Sequence, residues 1–194
     1  SVYATALMPL NLRQSATRTL VTLTISDLPS LPVAGNLNLC YDGNVHTGSA
    51  TAGTGEEVVW YTASTGGTLT VAPSGSSPGT YAAWAAARNS TTGCESSSRI
   101  EVTVVIHAIP AVPVSQGDKI ICSGQAIPAL SVTVGSGETA DWYNVPAGGT
   151  AVALNTLIYV PTAEGTFYVE ARSSNNCVSS TRTAVKLTIN PLPT

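Results

Sequence analysis

Four cysteines are the side chains of this 194-residue sequence best suited to covalent chemistry, and they stand at Cys40, Cys94, Cys122 and Cys177. The intervals Cys40 to Cys94 and Cys122 to Cys177 are nearly equal, at 54 and 55 residues, and no C-x-x-C spacing of a zinc or redox site occurs. The spacing predicts two disulfides, Cys40–Cys94 and Cys122–Cys177, formed in an oxidising compartment. Other chemistry-bearing types are sparse. A hydrolase needs a nucleophile beside a base, but neither His46 nor His107 has a repeated carboxylate companion, and the serines lack a G-x-S-x-G setting. No catalytic residue and no enzymatic activity are expected. Calcium requires clustered oxygen ligands. Asp42, Glu56 and Glu57 are the acidic candidates, yet Gly124 replaces Asp42 at the corresponding position further along and the acidic pair is missing there. They read as solvated charges, so no metal or other cofactor is expected.

A repeat positions the cysteines. Shifting the sequence by 82 residues lays Cys40 on Cys122, Trp60 on Trp142, Tyr61 on Tyr143, and Gly66-Gly67 on Gly148-Gly149. A closing segment occurs a third time: Thr17–Pro29 aligns with Thr181–Pro193 without a gap, and Ser98–Pro110 is the middle copy. The organisation read from this is a partial module over 1–30 and two complete modules over 31–112 and 113–194. A chain that opens in the closing strands of one module is expected to be an excerpt from a longer array. Arg13 stands where the other copies carry Cys94 and Cys177. The middle copy also holds about three more residues between Gly79 and Cys94 than the last holds between Gly165 and Cys177, which predicts a more protruding turn.

Short runs rich in Val, Thr, Ile and Tyr separate the landmarks. They are 57–62, 68–72, 79–85 and 99–106, with counterparts 140–145, 150–154, 166–171 and 182–189. Val102, Val104 and Ile106 alternate with Glu101, Thr103 and Val105, and Val185, Leu187 and Ile189 alternate with Lys186 and Thr188. Such period-two patterns mark half-buried antiparallel strands. The fold class is therefore all-β: tandem immunoglobulin-like sandwiches of about seven strands each, preceded by a partial module. Trp60, Trp142, Tyr61 and Tyr143 are the expected core aromatics, since each falls at a repeated position inside an apolar strand. Trp84 has no aligned partner. With Tyr81 it is the candidate for an exposed contact.

Only 10% of residues are charged and the net charge is -3, so no basic patch invites nucleic acid. No stretch approaches the roughly 18 apolar residues of a membrane span, and Ser1 to Leu10 lacks the basic start of a signal peptide. Any export signal or anchor is expected outside this segment.

The pattern Cys, then Trp-Tyr, Gly-Gly, a Tyr-bearing strand, a second Cys, Ser-Arg or Thr-Arg, and a closing Val strand ending in proline resembles the Ig-like repeats of large Bacteroidota surface proteins. Those include gliding adhesins and other substrates of type IX secretion. The pattern is carried by Cys122, Trp142, Tyr143, Gly148, Gly149, Tyr168, Cys177, Arg182, Val185 and Pro193, and again by Cys40, Trp60, Tyr61, Gly66, Gly67, Tyr81, Cys94, Arg99, Val102 and Pro110. The resemblance implies an extracellular or outer-surface location. Partners would be neighbouring modules of the same chain, and surface polysaccharide or another surface protein.

Prolines three apart at Pro29 and Pro32, and at Pro110 and Pro113, fix φ and predict short, semi-rigid joints between modules. With each first cysteine near its module's entrance and each second in a turn at the same pole, tension is expected to pass from Cys40 to Cys94 and bypass the residues between. Force-transmitting spacers of a secreted or surface-attached fibre are the leading functional reading. One rival is a carbohydrate- or protein-binding module appended to an exported enzyme, using Trp84 and Tyr81. The other is a filament subunit that completes a neighbour through its 1–30 hairpin.

Overall fold

The computed structural model describes residues 2–4 and 19–193. Arg13 and the first two residues of the leading repeat segment, Thr17 and Arg18, lie outside the described residues. The leading segment contributes β1 (Val2–Ala4) and β2 (Thr19–Val21), paired antiparallel with Val2 opposite Val21. The first repeat supplies β3 (Val33–Gly35), β4 (Leu37–Cys40), β5 (His46–Thr47), β6 (Ser49–Thr51), β7 (Glu56–Tyr61), β8 (Ser74–Gly75), β9 (Gly79–Asn89) and β10 (Ile100–His107). The second supplies β11 (Val114–Ser115), β12 (Lys119–Cys122), β13 (Leu130–Thr133), β14 (Thr139–Tyr143), β15 (Ile158–Tyr159), β16 (Gly165–Arg172) and β17 (Thr183–Asn190). Every regular element among the described residues is a strand.

The second repeat shows the architecture in full. One sheet runs β12-β17-β16-β14 and the facing one β11-β13-β15. Between them sit Leu130 and Val132 of β13, Ala140 and Trp142 of β14, Val169 of β16, and Val185 and Leu187 of β17, all buried. These residues alternate along their strands, as the inward faces of a two-layer sandwich require, and on β14 the outward Asp141 and Tyr143 are covered as well. Trp142 is fully buried, and its indole N–H donates to the Thr156 carbonyl at 2.9 Å, so the ring's one polar atom is satisfied inside the core. Tyr159 and Phe167 continue the aromatic cluster, with centroids 5.6 Å from Trp142 to Tyr159 and 5.2 Å from Tyr159 to Phe167.

The first repeat keeps the same pairings. β7 and β9 are antiparallel with Trp60 opposite Ala85, as Trp142 stands opposite Val169. β4 runs parallel to β10, as β12 does to β17. Val102, Val104 and Ile106 are buried, as the alternation predicts. The core lining on β9 is poorer, however: Ala83, Ala85 and Ala87 fill the inward positions, and Trp60 is only half-buried.

Three expectations are corrected here. The segments 68–72 and 150–154 make only isolated bridges, Leu69 to Tyr61 and Ala153 to Trp142. Only one of the three additional residues of the middle copy enlarges the turn, where the Asn89 N–H reaches the Cys94 carbonyl five residues on and the Ser173 N–H reaches the Cys177 carbonyl four residues on; the other two lie in the strand, ahead of Arg88 and its counterpart Arg172. Trp84 does have a counterpart: it lies opposite Tyr61 where Tyr168 lies opposite Tyr143, an equivalence that those added residues hide in a fixed-shift alignment.

By contact the chain divides into two compact units, Ser1–Ala34 with Ala50–Val71 and Ala83–Glu101, and Gly35–Ser49 with Ala72–Ala82 and Val102–Thr194. The second unit holds β4 and the whole second repeat.

Candidate functional site: the sulfur bridge and the arginine clamps

The four cysteines occupy two kinds of backbone position, each present twice. Cys40 ends β4 opposite His107, where the Tyr41 N–H donates to the His107 carbonyl at 2.8 Å. Cys122 ends β12 opposite Asn190, where the Ser123 N–H donates to the Asn190 carbonyl at 2.8 Å. Cys94 and Cys177 instead sit in the turn ahead of the closing strand. Their carbonyls accept from the Asn89 and Ser173 N–H groups, each at 2.9 Å. The residue before each is left-handed, Gly93 at φ 74 and Asn176 at φ 63. Two residues on, Ser96 and Ser179 accept from the Ala87 and Ala171 N–H groups and donate to the Ser98 and Thr181 carbonyls.

The bond that forms joins one of each kind: Cys40 to Cys177, with a Cα–Cα distance of 5.5 Å. Cys94 is half-buried and Cys122 exposed, both as free thiols. The expected Cys40–Cys94 and Cys122–Cys177 pairs are thus overturned, for a geometric reason. β12 runs parallel to β17 and carries Cys122 to the strand's far end, whereas Cys177 precedes the strand's start. A strand of that length spans roughly 25 Å, and a disulfide needs its Cα atoms within about 7 Å. In the first repeat the same register sets Cys40 opposite His107 at the end of β10, while Cys94 precedes Ile100. The force bypass from Cys40 to Cys94 falls with that pairing.

Beside the bridge, within the second compact unit, lies an open cleft of about 560 Å³ lined by Tyr41, Asp42, Ile109, Asn176 and Val178. Asp42 on its rim accepts from the Asn44 backbone N–H at 2.9 Å and contacts His46 Nε2 at 3.0 Å. Those hydrogen bonds, the Asn44 N–H foremost, hold its carboxyl well below the usual carboxylate range. His46 is therefore a partner of Asp42 and not a free solvated ring. The other acidic candidates have their own partners: Glu56 Oε2 accepts from the Gly53 N–H at 2.9 Å, and Glu57 pairs with Arg88 at 2.7 Å. His107 Nε2 lies 2.6 Å from Asn38 Oδ1. Among the described residues no three acidic, His or Cys side chains are grouped to hold a metal.

The Trp-Tyr, Gly-Gly and Arg landmarks assemble into a clamp. Because successive residues of a strand face opposite ways, Trp142 enters the core and Tyr143 turns to the other face. There the Arg182 guanidinium stacks on the Tyr143 ring, its Cζ 3.2 Å from the centroid. Its Nη1 donates to the carbonyls of Val145 and Gly148 at 3.0 and 2.8 Å, and its Nε to Glu170 at 2.9 Å. Tyr143 completes the ring by donating to the same Glu170 at 2.7 Å. Gly148 and Gly149, at φ 61 and 72, give the loop the left-handed turn that brings its carbonyls to the guanidinium. The first repeat builds the same object. Arg99 lies 3.3 Å over Tyr61 and donates to Ala63 and Gly66 at 2.9 and 2.6 Å, but the carboxylate meeting Tyr61 comes from Glu95. Burial and then the Glu170 hydrogen bond push the Tyr143 phenol up, and for Tyr61 the Glu95 hydrogen bond is the larger cause.

Asp141, fully buried, was not singled out from the sequence. It accepts from Arg172 at 2.7 Å and from the Asn155 N–H at 2.9 Å, a buried charge with both partners supplied. Trp84 and Tyr81 are both half-buried. Three residues apart on β9, they point to opposite faces and form no common platform. Tyr81 donates to the Ser77 carbonyl at 3.0 Å.

A sandwich repeated in tandem, with a tryptophan in the core and strands throughout, defines the chain as a pair of immunoglobulin-like domains. The family described as "Ig-like domain CHU_C associated" matches residues 29–107 and 110–191, and the chain belongs to it. No curated protein matches the chain. Among solved structures it is similar to the fibronectin(III)-like modules of Clostridium thermocellum CbhA, with 18% identity over 82% of this chain and 92% of that one, at a TM-score of 0.48. It is similar also to extracellular domains 3-5 of Drosophila OTK, with 16% identity over 82% and 60% of the two chains, at a TM-score of 0.44.

Proposed function

We propose that the chain is a stretch of spacer repeats from a large secreted or surface-attached adhesin or fibre, transmitting force and projecting a binding region elsewhere in the polypeptide. The observation that carries this reading is the bond from Cys40 in the first repeat to Cys177 in the second. A bridge between repeats fastens one unit of the array to the next. The repeated residues within each unit serve the same end, since Arg99 and Arg182 tie a loop to a strand. A disulfide persists in oxidising surroundings, which supports a location outside the cytoplasm. Secretion by the type IX route and a part in gliding follow from the resemblance to Bacteroidota surface repeats.

Glycan-array and cell-binding assays with the chain test the reading. A spacer gives no saturable binding, whereas specific sugar binding lost on Trp84→Ala would replace it with the carbohydrate-module reading. Antibody raised against the chain should label intact, unpermeabilised producer cells.

A further inference from the structure

We infer that the free thiols of Cys94 and Cys122 are the two unjoined halves of the Cys40–Cys177 bridge, and that each takes its partner from another copy of this repeat. Cys122 matches Cys40 in strand, register and following hydrogen bond, and Cys94 matches Cys177 in turn, left-handed preceding residue and serine brace. One position of each kind is bonded and one of each kind is free. The free pair is thus complementary in the same sense as the bonded pair: a strand-end thiol to give, a turn thiol to receive. The repeat itself names the partner, because what meets a strand-end cysteine in this molecule is the cysteine turn of a module of the same family.

The bond forms by thiol–disulfide exchange with glutathione disulfide as oxidant. The Cys122 thiolate attacks one glutathione sulfur, making a mixed disulfide and releasing one glutathione. The Cys94 thiolate of the second copy then attacks the Cys122 sulfur and releases the other glutathione. Two thiols are oxidised, one glutathione disulfide is reduced to two glutathiones, and both protons leave on them. Because a strand end on one copy meets a turn on the next, the contact is heterologous and does not close on itself, so it propagates.

The inference rests on the reading of the chain as part of an array, and its test separates the two. The full-length Cys94→Ser and Cys122→Ser variants are incubated in glutathione redox buffer, alone and mixed, then resolved without reductant and mapped by proteolysis and mass spectrometry. Mapping of Cys40–Cys177 in both variants shows that they are folded. The expected result is no covalent dimer from either variant alone, a dimer from the mixture linked Cys122 to Cys94, and a ladder of multimers from the unmodified chain. Homodimers from either variant in the amount seen for the mixture, or no dimer at all with Cys40–Cys177 intact, overturn the inference and leave the spacer reading standing. Recovery of Cys40–Cys94 or Cys122–Cys177 peptides overturns both.

Discussion

Cys40 is bonded to Cys177 across 137 residues of sequence, so the first repeat is fastened from the end of a strand to a turn in the second. Once the flanking strands have been pulled from their partners β10, β12 and β16, tension applied ahead of Cys40 and behind Cys177 crosses the sulfur bridge, and the residues between cannot extend. Those residues would extend by roughly 450 Å if unfolded, at about 3.3 Å per residue. Single-molecule pulling is expected to release only the short flanking segments from the oxidised chain. Under reductant, or in Cys40→Ser, the total extension should grow by that amount. The same contour length in both states would show that the bridge does not lie in the path of force.

The stacking of Arg182 on Tyr143 makes a second, local prediction. Arg182→Ala removes three hydrogen bonds and the cation–π contact at a largely buried site, and leaves the Glu170 carboxylate with Tyr143 and the distant Arg172 as partners. The expected loss is about 2–3 kcal/mol, read as a lowered urea midpoint with the m-value unchanged. Arg182→Lys should recover less than half of it, because an ammonium offers no planar fork to span the Val145 and Gly148 carbonyls and stack at once.

Much of this fold is legible in the residues. Val102, Val104 and Ile106 alternate because one side of their strand is dry, and that alternation is visible in the string itself. The cysteine pairing was not. Leu37 to Cys40 reads as an apolar stretch of strand, but nothing in four residues tells whether it runs parallel or antiparallel to β10, and that direction alone decides which pole Cys40 reaches. Arg99 and Arg182 stand out by repetition, yet their role stays hidden because the carboxylate comes from Glu95 in one repeat and Glu170 in the other, positions that do not align. Asp141 is hidden for a related reason: Val59 takes its place in the first repeat, so repetition gives no signal.

The unequal cores predict unequal responses to the same substitution. Trp142 is fully buried with its N–H satisfied by Thr156, whereas Trp60 is half-buried opposite an alanine. Trp142→Phe leaves a cavity and the half-buried Thr156 carbonyl without its donor, and should cost about 2–4 kcal/mol. Trp60→Phe should cost about 1 kcal/mol or less, since part of that ring already meets water. Urea unfolding followed by the fluorescence of the remaining tryptophans compares the two, and equal losses would contradict the difference in burial.

Alkaline titration tests the clamps from their protons. Tyr61 and Tyr143 both donate to a carboxylate, and both phenols are held above their ordinary value of about 10. A folded-state value above the unfolded one means that the folded protein keeps protons the unfolded chain has lost. Their contribution to stability is therefore complete below about pH 10 and is lost as pH rises through the folded value. The two sites should respond differently to removal of the carboxylate charge. For Tyr61 the Glu95 hydrogen bond is the larger cause, so Glu95→Ala, which removes acceptor and charge together, should return its ionisation close to that of a free phenol. For Tyr143 burial comes first, so Glu170→Ala should leave its ionisation still raised. Tyrosinate absorbance read beside the urea midpoint across the alkaline range follows both effects. An equal response of the two tyrosines would show that desolvation does not separate the second clamp from the first.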